Sequence, residues 1–92
     1  MARVTVRYWA AAKAAAGTAE EQLEAATLAD LIERAGALHG DRLGAVLARC
    51  AFLIDGVRAH PDDVLAGGVT VEALPPFAGG SARVVSIDGV VS

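Results

Sequence analysis

The chain has 92 residues, of which 54% are hydrophobic and 21% charged, with a formal net charge of −3 at pH 7. That length is about one domain on a prior of roughly 150 residues per domain, and high apolar content with low net charge excludes a disordered chain. No apolar window approaches the roughly 18 charge-free residues of a membrane span, and the eight basic residues are scattered singly, which leaves no electrostatic footprint for nucleic acid.

Val4, Val6 and Tyr8 alternate with Arg3, Thr5 and Arg7, the period of two of a half-buried strand. Trp9 falls in phase with the polar set and either closes the strand end or stands at a contact surface. Ala10 to Ala16, strong helix formers around Lys13, predict a short helix stopped by Gly17. Residues 19–38 could by propensity form one long helix beginning with Glu20 to Ala25, yet Thr27 with Asp30 three residues later resembles a capping box and starts a helix at Leu28. Leu28, Leu31, Ile32, Ala35 and Leu38 then form its buried stripe. This start leaves residues 20–25, where Leu23 and Ala25 alternate with Gln22 and Glu24, as a second strand. Gly40 ends the main helix, and Asp41 is expected to cap a further short one with Leu43, Val46, Leu47 and Cys50 on one face.

Phe52-Leu53-Ile54 and Val57-Arg58-Ala59 flank Asp55-Gly56, the favoured pair for a two-residue type I′ hairpin. His60 to Asp63 read as a loop and Ala66-Gly67-Gly68 as a turn. Val69 to Leu74 alternate again as a strand, which Pro75-Pro76 halt because neither can donate to a ladder. Strand, helix, strand, helix, hairpin and strand, with the first and last long strands as parallel neighbours, predict an α+β fold. The economical solution is a β-grasp, ubiquitin-like domain: a mixed four- to five-stranded sheet packed on one main helix.

The catalytic inventory is nearly empty. His39 and His60 lie 21 residues apart without a second Cys, so no metal site is expected. Asp62 and Asp63 read as loop carboxylates, one of them capping a turn. Cys50, the single cysteine, excludes an intrachain disulfide, fits a reducing compartment and reads as a small core hydrophobe. No phosphate-binding glycine pattern is present. The opening Met1 to Arg7 lacks the continuous apolar stretch of a signal peptide, and the expected location is the cytoplasm, with no membrane partner. The segment that stands out is Pro75-Pro76-Phe77-Ala78-Gly79-Gly80. Gly79-Gly80 follows a halted strand, and four residues beyond Pro76 project Gly80 up to roughly 14 Å. Without Cβ atoms the pair suits threading into a narrow channel of a partner, which fits a carrier whose working group is a main-chain carboxyl end.

Three stretches together resemble the MoaD/ThiS family of ubiquitin-like sulfur carriers, most of all its molybdopterin synthase branch. They are Val4 to Ala10 running into Ala14-Ala15-Ala16-Gly17, the Phe52 to Val57 hairpin, and the Val71 to Gly80 strand and tail. The resemblance implies that residues 1–80 form the carrier domain. It implies that an E1-like adenylating enzyme activates the Gly80 carboxylate, that a donor converts it to a thiocarboxylate, and that a MoaE-like large subunit receives the tail and its sulfur for a cyclic pyranopterin. The chain is then a carrier rather than an enzyme, with no cofactor or metal of its own. Gly80 is the carrier terminus, Gly79 its slender neighbour, and Pro75, Pro76, Phe77 and Ala78 the partner-binding base of the tail; Phe77 equally reads as a plug over the sheet edge.

One departure matters: twelve residues, Ser81 to Ser92, follow Gly80. As written, Gly80 bears an amide carbonyl and no carboxylate, so residues 81–92 are expected to be an extension removed by a processing protease. Their Asp88-Gly89 pair also suits a turn and an added edge strand. Three other readings stay open: a carrier for thiamin, cysteine or another sulfur-containing metabolite, a ubiquitin-like interaction module that is never activated, and a small enzyme using Cys50 or the histidines.

Overall fold

The computed structural model describes residues 1–76. Its elements in chain order are β1 (Ala2–Tyr8), α1 (Ala10–Ala16), β2 (Glu20–Ala25), α2 (Leu28–His39), α3 (Asp41–Leu47), β3 (Ala51–Ile54), β4 (Val57–Arg58) and β5 (Thr70–Leu74). The five strands form one mixed sheet in the order β2-β1-β5-β3-β4, with β1 and β5 parallel at its centre. The remaining pairs are antiparallel. This is the β-grasp arrangement expected from the residue pattern.

The alternation in β1 sets the layering. Val4, Val6 and Tyr8 face the helices and are at most 2% exposed, beside Val71 and Ala73 of β5. Leu28, Leu31 and Ala35 of α2 and Leu43 and Leu47 of α3 close the core from the other side. Each large aliphatic side chain so buried contributes about 1.5–3 kcal/mol. Arg3, Thr5 and Arg7 lie on the opposite, uncovered face of the sheet, with register partners Glu24, Gln22 and Glu20 on β2.

Local chemistry explains the boundaries. Gly17 ends α1 in the left-handed region at φ 77°, where a residue without Cβ is unstrained. At the start of α2 the Thr27 hydroxyl accepts from the Asp30 N–H at 3.1 Å, and the Asp30 carboxylate accepts from the Ala26 N–H at 3.0 Å. The reciprocal bond thus lands one residue before the capping Thr. Asp55 and Gly56 both have positive φ, 48° and 84°, as a type I′ turn requires. The Asp55 side chain also accepts from the Thr70 N–H at 2.9 Å, tying the hairpin to β5.

Three local expectations are corrected. Leu38 is 59% exposed rather than part of the buried stripe, because the sheet covers an arc centred on Leu28, Leu31 and Ala35 and Leu38 falls past its edge. Asp41 does not cap α3: it is the first helical residue, and Gly40 occupies the cap position without a side-chain bond. Cys50 lies beyond α3, which ends at Leu47, in the link to β3.

Candidate functional site

The end of β5 leads into the segment expected from the sequence to be a carrier tail. β5 runs between β1 and β3, so its last residues are bonded on both sides: Tyr8 is the register partner of Ala73, and Ala51 that of Leu74. Trp9 continues this pairing by donating its N–H to the Ala73 carbonyl at 3.3 Å. Pro75, half-buried, and Pro76, exposed, then end the ladder. The exit is therefore held by main-chain pairing up to Leu74, with Trp9 on one side and Ala51 on the other. Phe77, Ala78, Gly79 and Gly80, together with the extension 81–92 and its Asp88-Gly89 pair, lie outside the described residues.

Beside the exit, Trp9 follows the last residue of β1 and its ring is not buried. It is 41% exposed, with the Arg7 guanidinium 5.0 Å from its ring centre, a cation–π distance. Arg7 also reaches Glu20 at 3.7 Å and Glu72 at 3.9 Å across the open sheet face. The chain turns sharply after Trp9: Ala10 has φ 50°, a left-handed conformation that costs a residue with Cβ about 1–2 kcal/mol. Two N–H groups, of Ala12 and Lys13, point back to the Trp9 carbonyl at 3.0 and 3.4 Å and hold that turn. Arg7, Trp9 and Lys13 line a shallow cleft of ≈ 210 Å³ there.

The nucleophile and ligand candidates are placed elsewhere and apart. The Cys50 thiol is half-buried and donates to the Val46 carbonyl at 3.3 Å. Burial pushes it up to about 11, so it is a neutral thiol near pH 7 and a poor nucleophile. His60 is exposed, and its backbone N–H donates to the Asp63 carboxylate at 2.9 Å in a closed turn, which makes Asp63 the turn-capping residue of the pair. Among the described residues no group of three or more His, Cys, Asp or Glu is arranged to hold a metal.

His39 enters a cluster that no local spacing signals. Its Nε2 lies 2.6 Å from Glu21 Oε2, and the Tyr8 hydroxyl donates to the same oxygen at 2.6 Å. The Tyr8 and His39 rings meet edge to face at 6.1 Å. Burial first, then the hydrogen bond and the charge of Glu21, drive the Tyr8 hydroxyl well above its ordinary value of 10.0. The cluster ties the end of β1, the start of β2 and the end of α2. Its three side chains are bonded or packed to one another across these three elements, which makes it a clasp.

The sequence model of the ThiS family matches residues 6–80, a span that closes on Gly80. No functionally curated protein matches significantly. Among solved structures, the putative molybdopterin converting factor subunit 1 of Pyrococcus furiosus is 26% identical at a TM-score of 0.75, over 84% of this chain and 100% of that one. A chain of the complex of subunits 1 and 2 of the molybdopterin-converting factor of Helicobacter pylori is 25% identical at a TM-score of 0.61, over 85% of this chain and 99% of that one. Small archaeal modifier protein 1 of Methanosarcina acetivorans shares the fold at a TM-score of 0.78 and 23% identity, over 87% of this chain and 98% of that one.

Proposed function

The chain belongs to the ThiS family of ubiquitin-like sulfur carriers, and from that premise we propose that it carries sulfur on Gly80 for the synthesis of molybdopterin. The observation that carries this reading is that the family match ends at Gly80, six residues beyond a central strand whose exit is locked by Trp9 and Ala51 and halted by two prolines. A peptide so anchored starts from a fixed point, and a glycine end presents only main chain to a partner.

On this reading the working chemistry is that of a carboxylate. A protease first cuts between Gly80 and Ser81, which frees the carboxylate that the peptide bond hides. An adenylating enzyme then joins it to the AMP portion of ATP, releasing pyrophosphate. A sulfide-level donor displaces AMP and leaves a thiocarboxylate, with no net change in the oxidation state of the carbonyl carbon. The thiocarboxylate sulfur, a soft nucleophile, displaces an oxygen leaving group on the pterin acceptor in a complex with a larger subunit, and water then cleaves the acyl–sulfur bond, which leaves the sulfur on the pterin and returns the Gly80 carboxylate. The subunit 1 and 2 complex of the Helicobacter pylori factor supports that partner, and the Pyrococcus furiosus neighbour supports the pathway. Residues Pro75 to Ala78 and Trp9 would then form the contact at the base of the tail, and catalytic side chains would come from the partners.

Incubating residues 1–80 and 1–92 separately with the adenylating enzyme, ATP and a sulfur donor tests the assignment by intact mass. The short form gains the mass of one sulfur-for-oxygen exchange, and the long form gains it only after cleavage at Gly80. Equal loading of the uncut chain would place the working group elsewhere. Binding to a thiazole- or cysteine-pathway enzyme, with none to a molybdopterin synthase large subunit, would move the same Gly80 chemistry to another acceptor.

A further inference from the structure

We propose that residues 84–88 of the chain's own extension add as a strand to the outer edge of β4, beside the cleft that opens there, and so hold the uncut Gly80–Ser81 bond in a loop closed on the domain. The docking does not rest on the sulfur-carrier reading, which only gives it a consequence.

The edge is narrow, and that selects its occupant. Ile54 and Val57 flank the two-residue turn, and Ala59 donates its N–H to the Phe52 carbonyl at 2.9 Å. Leu53 and Arg58 between them are therefore the non-hydrogen-bonded pair of the ladder, and the N–H and C=O of Arg58 point away from β3. Both main-chain groups of His60 are already taken: its N–H goes to the Asp63 carboxylate at 2.9 Å, and its carbonyl accepts from the Asp63 N–H at 3.0 Å. One open rung offers a separate partner only two main-chain bonds. A segment of the same chain meets that rung at an effective concentration in the millimolar range. A second copy fails on charge as well. Gly56 lies in the turn at φ 84°, so antiparallel self-pairing across this rung sets Arg58 against Arg58, and like charges directly opposite are destabilising.

Direction and reach fit the extension. β4 and β5 both run antiparallel to β3, and Phe52 meets Ala73 on one side and Ala59 on the other, so β4 and β5 finish at the same end of the sheet. A chain that leaves β5 and turns back outside β4 runs antiparallel to it. The crossing covers three strand spacings, about 14 Å, and residues 75–83 extend to roughly 30 Å. The opposite edge, β2, runs against β5. It would meet the same segment in parallel, with Glu20 and Glu24 on the face of Asp88.

The residue pattern sets the register. Val57 and Ala59 stand on the helix-covered side of the sheet with Ile54 and Phe52, yet Val57 is 69% exposed. At Ala59 opens a cleft of ≈ 250 Å³ lined also by Ile32, Leu47, Phe52, Arg58 and His60. With Ser86 opposite Arg58, Val85 lies opposite Ala59 at this cleft and Ile87 opposite Val57. Asp88 is then a diagonal neighbour of Arg58, which has no ion pair among the described residues. Shifting the register by one or two residues either way brings Arg83, Ser86 or Gly89 to face Val57 or Ala59. On the sulfur-carrier reading, hydrolysis of the Gly80–Ser81 bond frees the carboxylate and in the same step cuts the tether that keeps the strand docked.

Amide and methyl NMR of the full isotope-labelled chain tests this, with the 1–80 form as reference. The expected result is shift differences centred on residues 51–60, methyl contacts between Ile87 and Val57, and exchange of the Arg58 amide slowed about tenfold in the full chain. Ile87→Ser and, separately, Asp88→Lys move the full-chain signals toward their 1–80 positions, and Arg58→Glu combined with Asp88→Lys restores them. Matching spectra of the two forms over residues 51–60, differences centred on residues 20–25, signals that move with protein concentration, or an Ile87→Ser chain that keeps the full-chain shifts overturns the docking. Each of these results leaves the sulfur-loading assay untouched, so the two proposals fail separately.

Discussion

Tyr8 and Ala73 are register partners, so the Tyr8–Glu21–His39 cluster and the exit of β5 lie at the same end of the sheet. They differ in almost every other respect. The cluster gathers three titratable side chains from three elements around one carboxylate oxygen. The exit has two prolines, a tryptophan, and a ladder of main-chain bonds. Chemical richness thus marks the structural clasp, and chemical poverty marks the proposed working end. A carrier whose reactive group is a terminal carboxyl needs from its own fold a rigid point of departure and little else, and it takes its acids and bases from partners.

The largest expected effect separates the two regions outright. A chain ending at residue 78, which lacks Gly79 and Gly80, should load no sulfur at all in the intact-mass assay. Its thermal midpoint should match that of the 1–80 form, since the buried core among the described residues lies between Val4 and Ala73. A truncated chain that still loads would break the comparison at its functional half.

The next effect probes the covered side against its edge. Leu31→Ala should cost about 2–5 kcal/mol by removing a core side chain that is 2% exposed, measured by urea unfolding. Leu38→Ala should stay within about 0.5 kcal/mol. The sequence alone does not separate these two leucines, because both fit the apolar repeat of α2 and only the position of the sheet decides which is covered. By contrast, the β1 alternation, the Thr27 and Asp30 start of α2, the Asp55-Gly56 hairpin and the proline stop were legible, each being set within a few residues. The clasp was not: Tyr8 and Glu21 are 13 apart and Glu21 and His39 are 18 apart, distances that only the folded sheet closes.

Within the clasp, Glu21→Ala leaves the Tyr8 hydroxyl without its acceptor and His39 without its carboxylate. The expected cost is about 1–3 kcal/mol, with sulfur loading of the 1–80 form unchanged at a temperature where the variant is folded. The pH dependence has a definite sign. The native Tyr8 hydroxyl holds its proton well above the ordinary 10.0, so its contribution is full below about pH 10 and is lost as pH rises further. In Tyr8→Phe the loss of stability in that alkaline range should be shallower. A loading defect in folded Glu21→Ala would make the clasp part of the working site and undo the contrast.

The last effect falls on Cys50, which precedes the Ala51 that pairs with Leu74 and is the natural rival to Gly80 as the seat of sulfur chemistry. The geometry argues against it. The thiol is half-buried, donates to the Val46 carbonyl at 3.3 Å, and is pushed up to about 11 by burial. A thiol ionises less readily in the native chain than in the unfolded one under these conditions. Its contribution to stability is therefore present below the ordinary value of 9.0 and is lost as pH rises through about 11. Thiolate absorbance should show a native midpoint near 11 that moves down on unfolding. Cys50→Ala should cost on the order of 1 kcal/mol for a small, partly open cavity and should leave sulfur loading of the 1–80 form complete. Sulfur bound to Gly80 survives this substitution because it never passes through the thiol, whereas sulfur carried as a Cys50 persulfide disappears with it. The intact mass of the loaded variant distinguishes the two, and a folded Cys50→Ala chain without added sulfur would assign the chemistry to the cysteine after all.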